Sequence, residues 1–503
     1  LNSFSPRQWL SFALAATLVF RVWLSAVAPV TADEAYFILW GRSPAFGYYD
    51  HPPMVGWLLA PLAAFSEAAW LMRLPQVLLP PLAALMVHAA LRHWYAGEKA
   101  RDADTADLAA LAVLLVPMNI WNVLITTDTP LVLFSTASLL VFARAAEKDS
   151  NGMFLVSGML LGLAFLSKYF AVLLGLAYLV WAIASKKPRV FFLVFLGGLP
   201  FGLLNLYWNL NACWCNVMFN AINRNEGDGS GWSASTPVLY AASLAYLAAP
   251  LLWFAWRGRA RLREAWRRPG ERALLLAWLV PLAAFAALSP VKRIGLHWLL
   301  SFVPALALSM ALALERRQLV LSVRFFAILA VLQAVAIAVV AALPLETWQV
   351  ARFSQRLVFP GRMAELMSAI EPDLPGRVLA TDSYASAALL SYHARRPIPV
   401  FGRGTSHARQ DDIDTDWRAY AGQDLLVLRR EPPLPQDYQP YFRTVEVKKI
   451  TLGGGAYHAI LGRGFDYEAY RSGVLADIRE RFYRIPARLP VERCYFFERY
   501  FSR

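Results

Sequence analysis

A succession of apolar runs of membrane length constrains this chain more than any other feature. A helix crossing the hydrocarbon core needs about 20 apolar residues, range roughly 17–25. Runs near that length occupy residues 9–29, 71–91, 108–124, 131–145, 154–166, 170–184, 190–210, 238–256, 273–288, 298–314 and 325–343. They predict an α-helical polytopic membrane protein with about 11 spans, up to 13, since several runs are short. Composition agrees: 58% of the 503 residues are hydrophobic and 17% charged. Soluble domains average roughly 45–50% and about 25%. The run from residue 8 is too long for a typical signal-peptide core and lacks a small-x-small cleavage pattern, so it reads as a retained first span.

The formal charge of +14 does not indicate nucleic acid, because the basic residues gather in short links between apolar runs. Links at 92–101, 144–148, 186–189, 257–272 and 316–317, together with Arg7, fall on one side under strict alternation. By the positive-inside bias that side is cytoplasmic. The intervening loops at 31–57, 119–128, 211–232 and 290–297 then lie outside, as does the region after the last span.

From Pro344 the composition changes, giving two expected domains: a membrane domain at 1–343 and a soluble, external domain at 344–503. Strand-like runs at 377–381, 398–401, 424–428 and 444–447 alternate with helix-like stretches at 383–394 and 468–482, which suggests a small α/β domain. The acid-rich 411–416 segment lacks the Gly and distal Glu of an EF-hand and reads as a solvated loop. Gly453-Gly454-Gly455 reads as a turn. Three cysteines make no disulfide framework. They are expected as free thiols, with a bridge from Cys494 to the Cys213/Cys215 loop left open if both face an oxidising compartment.

Three constellations could carry chemistry. The 31–57 loop places Asp33, Glu34, Asp50 and His51 among Trp40, Trp57, Tyr36, Tyr48 and Tyr49, between two apolar runs. Carboxylates beside hydrocarbon are costly and commonly mark a functional cavity. Adjacent helical residues point about 100° apart, so Asp33 and Glu34 cannot share a direction. One can face the cavity while the other pairs with a cation. The bland alternative is a loop of solvated acids. Asp128 lies at the outer end of a span and could serve equally as a helix cap ahead of Thr129-Pro130. The 289–298 loop places Lys292, Arg293 and His297 outside, against the positive-inside bias. A phosphate at the interface would account for them, as would lipid headgroups. Lys168 and Arg224 are further external cations, and Arg73 sits at an outer span end. A cationic set opposite an acidic one suits a phosphate leaving group and a hydroxyl to be deprotonated. No Walker A, HExxH or CxxC pattern occurs, so an ATP-driven pump and a zinc site lack support.

Asp33-Glu34-Ala35-Tyr36 followed by Tyr48-Tyr49-Asp50-His51-Pro52-Pro53-Met54-Val55-Gly56-Trp57 closely resembles the first external loop of the membrane GT-C glycosyltransferase superfamily. That superfamily contains the protein O-mannosyltransferases (PMT) and the lipid A aminoarabinose transferase (ArnT). The likeness continues at 73–75, 127–131, 166–169, 205–224 and 292–298. It implies transfer of a sugar from a polyprenyl (undecaprenyl) phosphate carrier to a lipid A, lipopolysaccharide or related acceptor, without nucleotide sugars. The site would be the periplasmic face of a bacterial inner membrane. It also implies Asp33 as catalytic base, Asp128 as second acid, and Lys292, Arg293, His51, Lys168 and Arg224 toward the donor phosphate. Glu34, Asp50, Tyr48, Tyr49, His297 and Arg73 support them. His51 stands where the aminoarabinose transferases have lysine. No cofactor is assigned and a divalent metal is left open; the partners are the donor, the acceptor and membrane lipids, around a monomer. Alternatives are a protein O-mannosyltransferase, a transporter or flippase of lipid-linked substrates, and a non-catalytic scaffold.

Overall fold

The computed structural model describes residues 5–93, 103–223, 232–344, 347, 359–405, 407, 409–452 and 455–501. Eight described helices are long and apolar enough to cross a membrane: Pro6–Val27, Ala69–Arg92, Asp128–Lys148, Pro188–Asn211, Ser235–Arg257, Pro269–Leu288, Leu296–Ala313 and Arg316–Ala342. Two shorter apolar helices, Asn151–Ser167 and Ala171–Ala184, carry the short runs either side of Lys168. The run at 108–124 is not one helix. Ala103–Leu114 stops, and Pro117–Trp121 starts anew. Pro117 has no N–H to donate, and it drives Val116 out of the helical region (φ −51°, ψ 132°).

The chain gathers into two compact units, each built from segments far apart in sequence. The first, which holds no strand among its described residues, comprises Leu1–Val27, Ala68–Leu204 and Gly229–Ala341. Two of its helices touch through glycines: a Cβ on Gly158 would lie 2.1 Å from the Val194 carbonyl oxygen, and one on Gly197 2.2 Å from that of Leu155. Small residues are what allow membrane helices to approach this closely. Arg21, fully buried inside the first span, donates to the backbone carbonyls of Val77 (3.2 Å), Asn122 (3.0 Å), Gln76 and Asn119. It thereby satisfies the Asn119 and Asn122 carbonyls where the chain breaks around Pro117–Trp121, and the Gln76 and Val77 carbonyls, which Pro80 and Pro81 leave without a helical donor, and which a lipid environment could not satisfy.

The second unit comprises Ala28–Glu67, Asn205–Asp228 and Ala342–Arg503. It holds a four-stranded sheet of β1 (Arg377–Thr381), β2 (Asp424–Arg429), β3 (Phe442–Leu452) and β4 (Gly455–Phe465), in the order β1-β2-β4-β3. The β1–β2 pair is parallel and the other two pairs are antiparallel. The expected strand at 398–401 reduces to one bridge, Thr381 to Val400, because Pro397 and Pro399 bring no N–H to a ladder. Strand β4 had no counterpart in the sequence reading. It is central and buried along most of its length, so it lacks the alternation that betrays a half-exposed strand.

Two expectations are corrected here. Cys213 and Cys494 form a disulfide, and only Cys215 is free and buried. The pairing joins residues 281 positions apart, which spacing along a chain does not reveal. Nor is the 411–416 segment simply solvated. Asp412 is buried, gripped by the Arg409 guanidinium (2.8 and 3.0 Å) and by the Tyr483 hydroxyl (2.8 Å). A carboxylate removed from water requires such partners.

Candidate active site

The second unit organises the 31–57 loop around two acids with different surroundings. Thr31 caps the Ala32–Arg42 helix. The Thr31 hydroxyl accepts from the Glu34 N–H (3.3 Å), and the Glu34 carboxylate accepts from the Thr31 N–H (3.0 Å) and hydroxyl (3.1 Å). This capping box satisfies two otherwise orphaned donors, so Glu34, 1% exposed, serves the helix terminus. Asp33 points elsewhere. Its carboxylate is reached by solvent, and its Oδ1 accepts the hydroxyl of Tyr384 at 3.2 Å. Partial desolvation by the surrounding protein raises the pKa of Asp33 above the ordinary carboxylate value; Tyr384 opposes the rise, Asp50 adds to it, His51 opposes and Glu34 adds. Water still reaches the group, so the desolvation is partial.

Asp50, by contrast, is buried. Its Oδ1 accepts the Tyr36 hydroxyl at 3.0 Å, and its Oδ2 lies 3.1 Å from Nδ1 of His51, out of line for a hydrogen bond. Tyr48 and Tyr49 hold the loop. The Tyr48 ring stacks on Trp40 at 4.1 Å, and its hydroxyl donates to the Trp40 carbonyl at 2.9 Å. Gly56 must be glycine for this: an added Cβ would lie 2.2 Å from that hydroxyl oxygen. The Tyr49 N–H donates to the Gln410 side chain (2.9 Å). The Asn216 amide donates to the Tyr48 carbonyl and to that of Tyr49 (3.0 Å).

The helical unit brings together a different set. Asp128 opens the Asp128–Lys148 helix, with Thr127 rather than Asp128 in the cap position. The Lys168 ammonium donates to both oxygens of Asp128, at 2.8 and 2.9 Å. Lys168 reaches it from an extended residue (φ −162°, ψ 140°) that ends one short helix before the next. His297 Nε2 stands 3.9 Å from the same carboxylate. Lys292 is half-buried and Arg293 exposed. Arg73 is fully buried and donates to the Ser25 carbonyl at 2.8 Å, closing the end of the first span. Arg224 lies outside the described residues. Among the described residues no group of three or more His, Cys, Asp or Glu converges as a metal-binding set.

Sequence reasoning missed Tyr384 and Tyr36, the two phenols that hold the loop acids. Tyr36 was near at hand in the motif. Tyr384 is not, since only folding brings it to Asp33.

Residues 50–208, which include Asp50, His51, Arg73, Asp128 and Lys168, match the family model of dolichyl-phosphate-mannose-protein mannosyltransferases. The apo crystal structure of ArnT from Cupriavidus metallidurans superposes with a TM-score of 0.62 at 15% identity, covering 90% of this chain and 98% of ArnT. The fold is that of ArnT. A curated relative, the lipid A galacturonosyltransferase RgtD of Rhizobium johnstonii, is 27% identical over 290 residues, 55% of this chain. The chain spans 58% of that relative's length. The GT-C likeness read from the first external loop is borne out, as is the architecture of many apolar helices with a small sheet in the C-terminal region. Asp33 combines an accessible carboxylate with one oxygen bound by the Tyr384 hydroxyl.

Proposed function

We propose that this GT-C protein transfers a sugar from a polyprenyl-phosphate donor to a lipid A, lipopolysaccharide or related envelope glycan acceptor. The observation that carries the reading is Asp33: an accessible carboxylate in the first external loop, oriented by a phenol. The match to a lipid A galacturonosyltransferase supports the acceptor class. Asp33 takes the proton of the acceptor hydroxyl as that oxygen attacks the anomeric carbon. The bond from that carbon to the phosphate oxygen breaks, and the electron pair leaves on polyprenyl phosphate. In-line displacement inverts the anomeric centre. An anomeric phosphate is already a good leaving group, so cations rather than a strong acid suffice. Lys292 and Arg293 are assigned to the donor phosphate, with His51, Lys168 and Arg224 in support; Asp128 is the second acid and the partner that holds Lys168.

The reaction is assigned to the periplasmic face of a bacterial inner membrane. The positive-inside bias of the basic links supports an external side for the loops at 31–57 and 211–232, and the disulfide suits an oxidising compartment. Asp33→Asn should lower transfer by about 10²–10⁴-fold in membranes given a polyprenyl-phosphate sugar and lipid A. Full transfer by that variant ends the reading. The mannosyltransferase family match at residues 50–208 favours a second reading, protein O-mannosylation. Sugar released onto peptide rather than lipid, seen by mass spectrometry, decides for it.

A further inference from the structure

Asp33 and Tyr384 are 351 positions apart, yet their side chains meet at 3.2 Å. The contact is held from both ends of a helix pair. At one end of the Ala32–Arg42 helix, Tyr384 reaches Asp33. At the other, Arg42 donates to the carbonyls of Ser391 (3.0 Å) and Tyr392 (3.3 Å), at the far end of the Tyr384–Ala394 helix. Arg42 also pairs with Glu67, whose carbonyl accepts the Tyr392 hydroxyl at 3.0 Å. Between these clamps the Tyr36 ring meets Tyr384 edge-on, with centroids 5.9 Å apart at 67°. The two helices therefore run in the same direction, and neither end is free to slide. The two touching tyrosines divide the acids between them: Tyr384 takes Oδ1 of Asp33, and Tyr36 takes Oδ1 of Asp50.

We propose that Tyr384, supplied by the C-terminal segment, is a positioning residue of the transfer reaction, holding one oxygen of Asp33 so that the other meets the acceptor hydroxyl. This inference rests on the reading of Asp33 as the base. A phenol donates more strongly to an ionised carboxylate than to the neutral acid, so the same bond keeps the base in its competent form. It works with His51 and against burial, Asp50 and Glu34. The C-terminal segment then contributes to the chemistry and is not only a lid or anchor. A side chain that merely docked two helices would leave the ionisation of Asp33 untouched.

The test uses the full-length protein in nanodiscs, as wild type, Tyr384→Phe, and with 3-fluorotyrosine at position 384. Ionisation of Asp33 is read without substrate, from the pH dependence of carbodiimide labelling of its peptide by mass spectrometry. Transfer is followed against pH with undecaprenyl-phosphate galacturonate and lipid A. Tyr384→Phe should raise the labelling midpoint by about half to one pH unit. The acid limb of the rate profile should move with it, and kcat fall about tenfold with KM little changed. The fluorinated phenol, a better donor that preserves the packing, should move the midpoint down. Equal midpoints in all three proteins overturn the proposal. If Tyr384→Phe fails to fold, the fluorotyrosine protein decides alone. Wild-type transfer by Asp33→Asn removes the underlying functional reading; an inactive Asp33→Asn beside an unaltered Tyr384→Phe removes only the role of Tyr384.

Discussion

Two neighbouring acids, Asp33 and Glu34, show how one residue of offset on a helix gives two carboxylates different surroundings. Glu34 completes a capping box, so Glu34→Ala should cost about 1 kcal/mol in unfolding free energy, seen by thermal melts in detergent. The carboxyl of Asp33 is pushed above its ordinary range, chiefly by partial desolvation. Its contribution to stability is therefore full below the unfolded-chain value of about 3.9, and it is lost as pH rises through the folded-state value. Activity that needs the ionised base should accordingly show an acid limb displaced upward from about 3.9, measurable as kcat/KM against pH and absent from Asp33→Asn. The Asp128–Lys168 pair makes the opposite case. Its side chains are 5% and 13% exposed, and removing one member leaves a charge without its partner. Lys168→Met should destabilise by about 3–5 kcal/mol, and adding Asp128→Asn should restore most of the loss in the same melts.

At the scale of elements, the first loop depends on close packing as much as on charge. Gly56→Ala would drive a methyl into the Tyr48 hydroxyl and should lower stability by about 1–3 kcal/mol, with loss of transfer in proportion. The Cys213–Cys494 bridge ties the 205–228 segment to the C-terminal end. Replacing either cysteine by serine should cost about 2–5 kcal/mol, detectable as a lower melting temperature that reductant no longer changes. Some elements were legible beforehand for simple physical reasons. The strands at 377–381 and 424–428 and the helix at 384–394 are short, clearly patterned and bounded by turns. Others were hidden: the central strand β4 is too evenly buried to alternate, the prolines at 397 and 399 spoil an otherwise strand-like run, and Pro117 cuts a continuous apolar stretch in two.

For the whole molecule, hydropathy was sufficient to recognise a multi-pass membrane protein, because the cost of exposing backbone to hydrocarbon leaves little choice but long apolar helices; the GT-C likeness rested instead on the motif residues of the first external loop. The same local signal marked a change of character near Pro344. It did not reveal that 28–67, 205–228 and 342–503 gather into one compact unit, since that depends on contacts between segments hundreds of residues apart. A reporter fused after residue 503 that is active only when exported should be active, as the alternation of basic links requires; an inactive fusion would invert the orientation. The acids Asp33, Asp50 and Asp128 and the cations of the outer loops could be singled out from sequence because charge beside apolar runs is costly and conspicuous. Which acid is capped, which is buried and which stays accessible was left to the tertiary structure. The 31–57 loop already stood out in the sequence for the density of its ionisable groups beside apolar runs. Only folding decided that a tyrosine from the C-terminal segment would hold Asp33, because a hydrogen bond between side chains 351 positions apart leaves no periodicity, spacing or composition by which to read it.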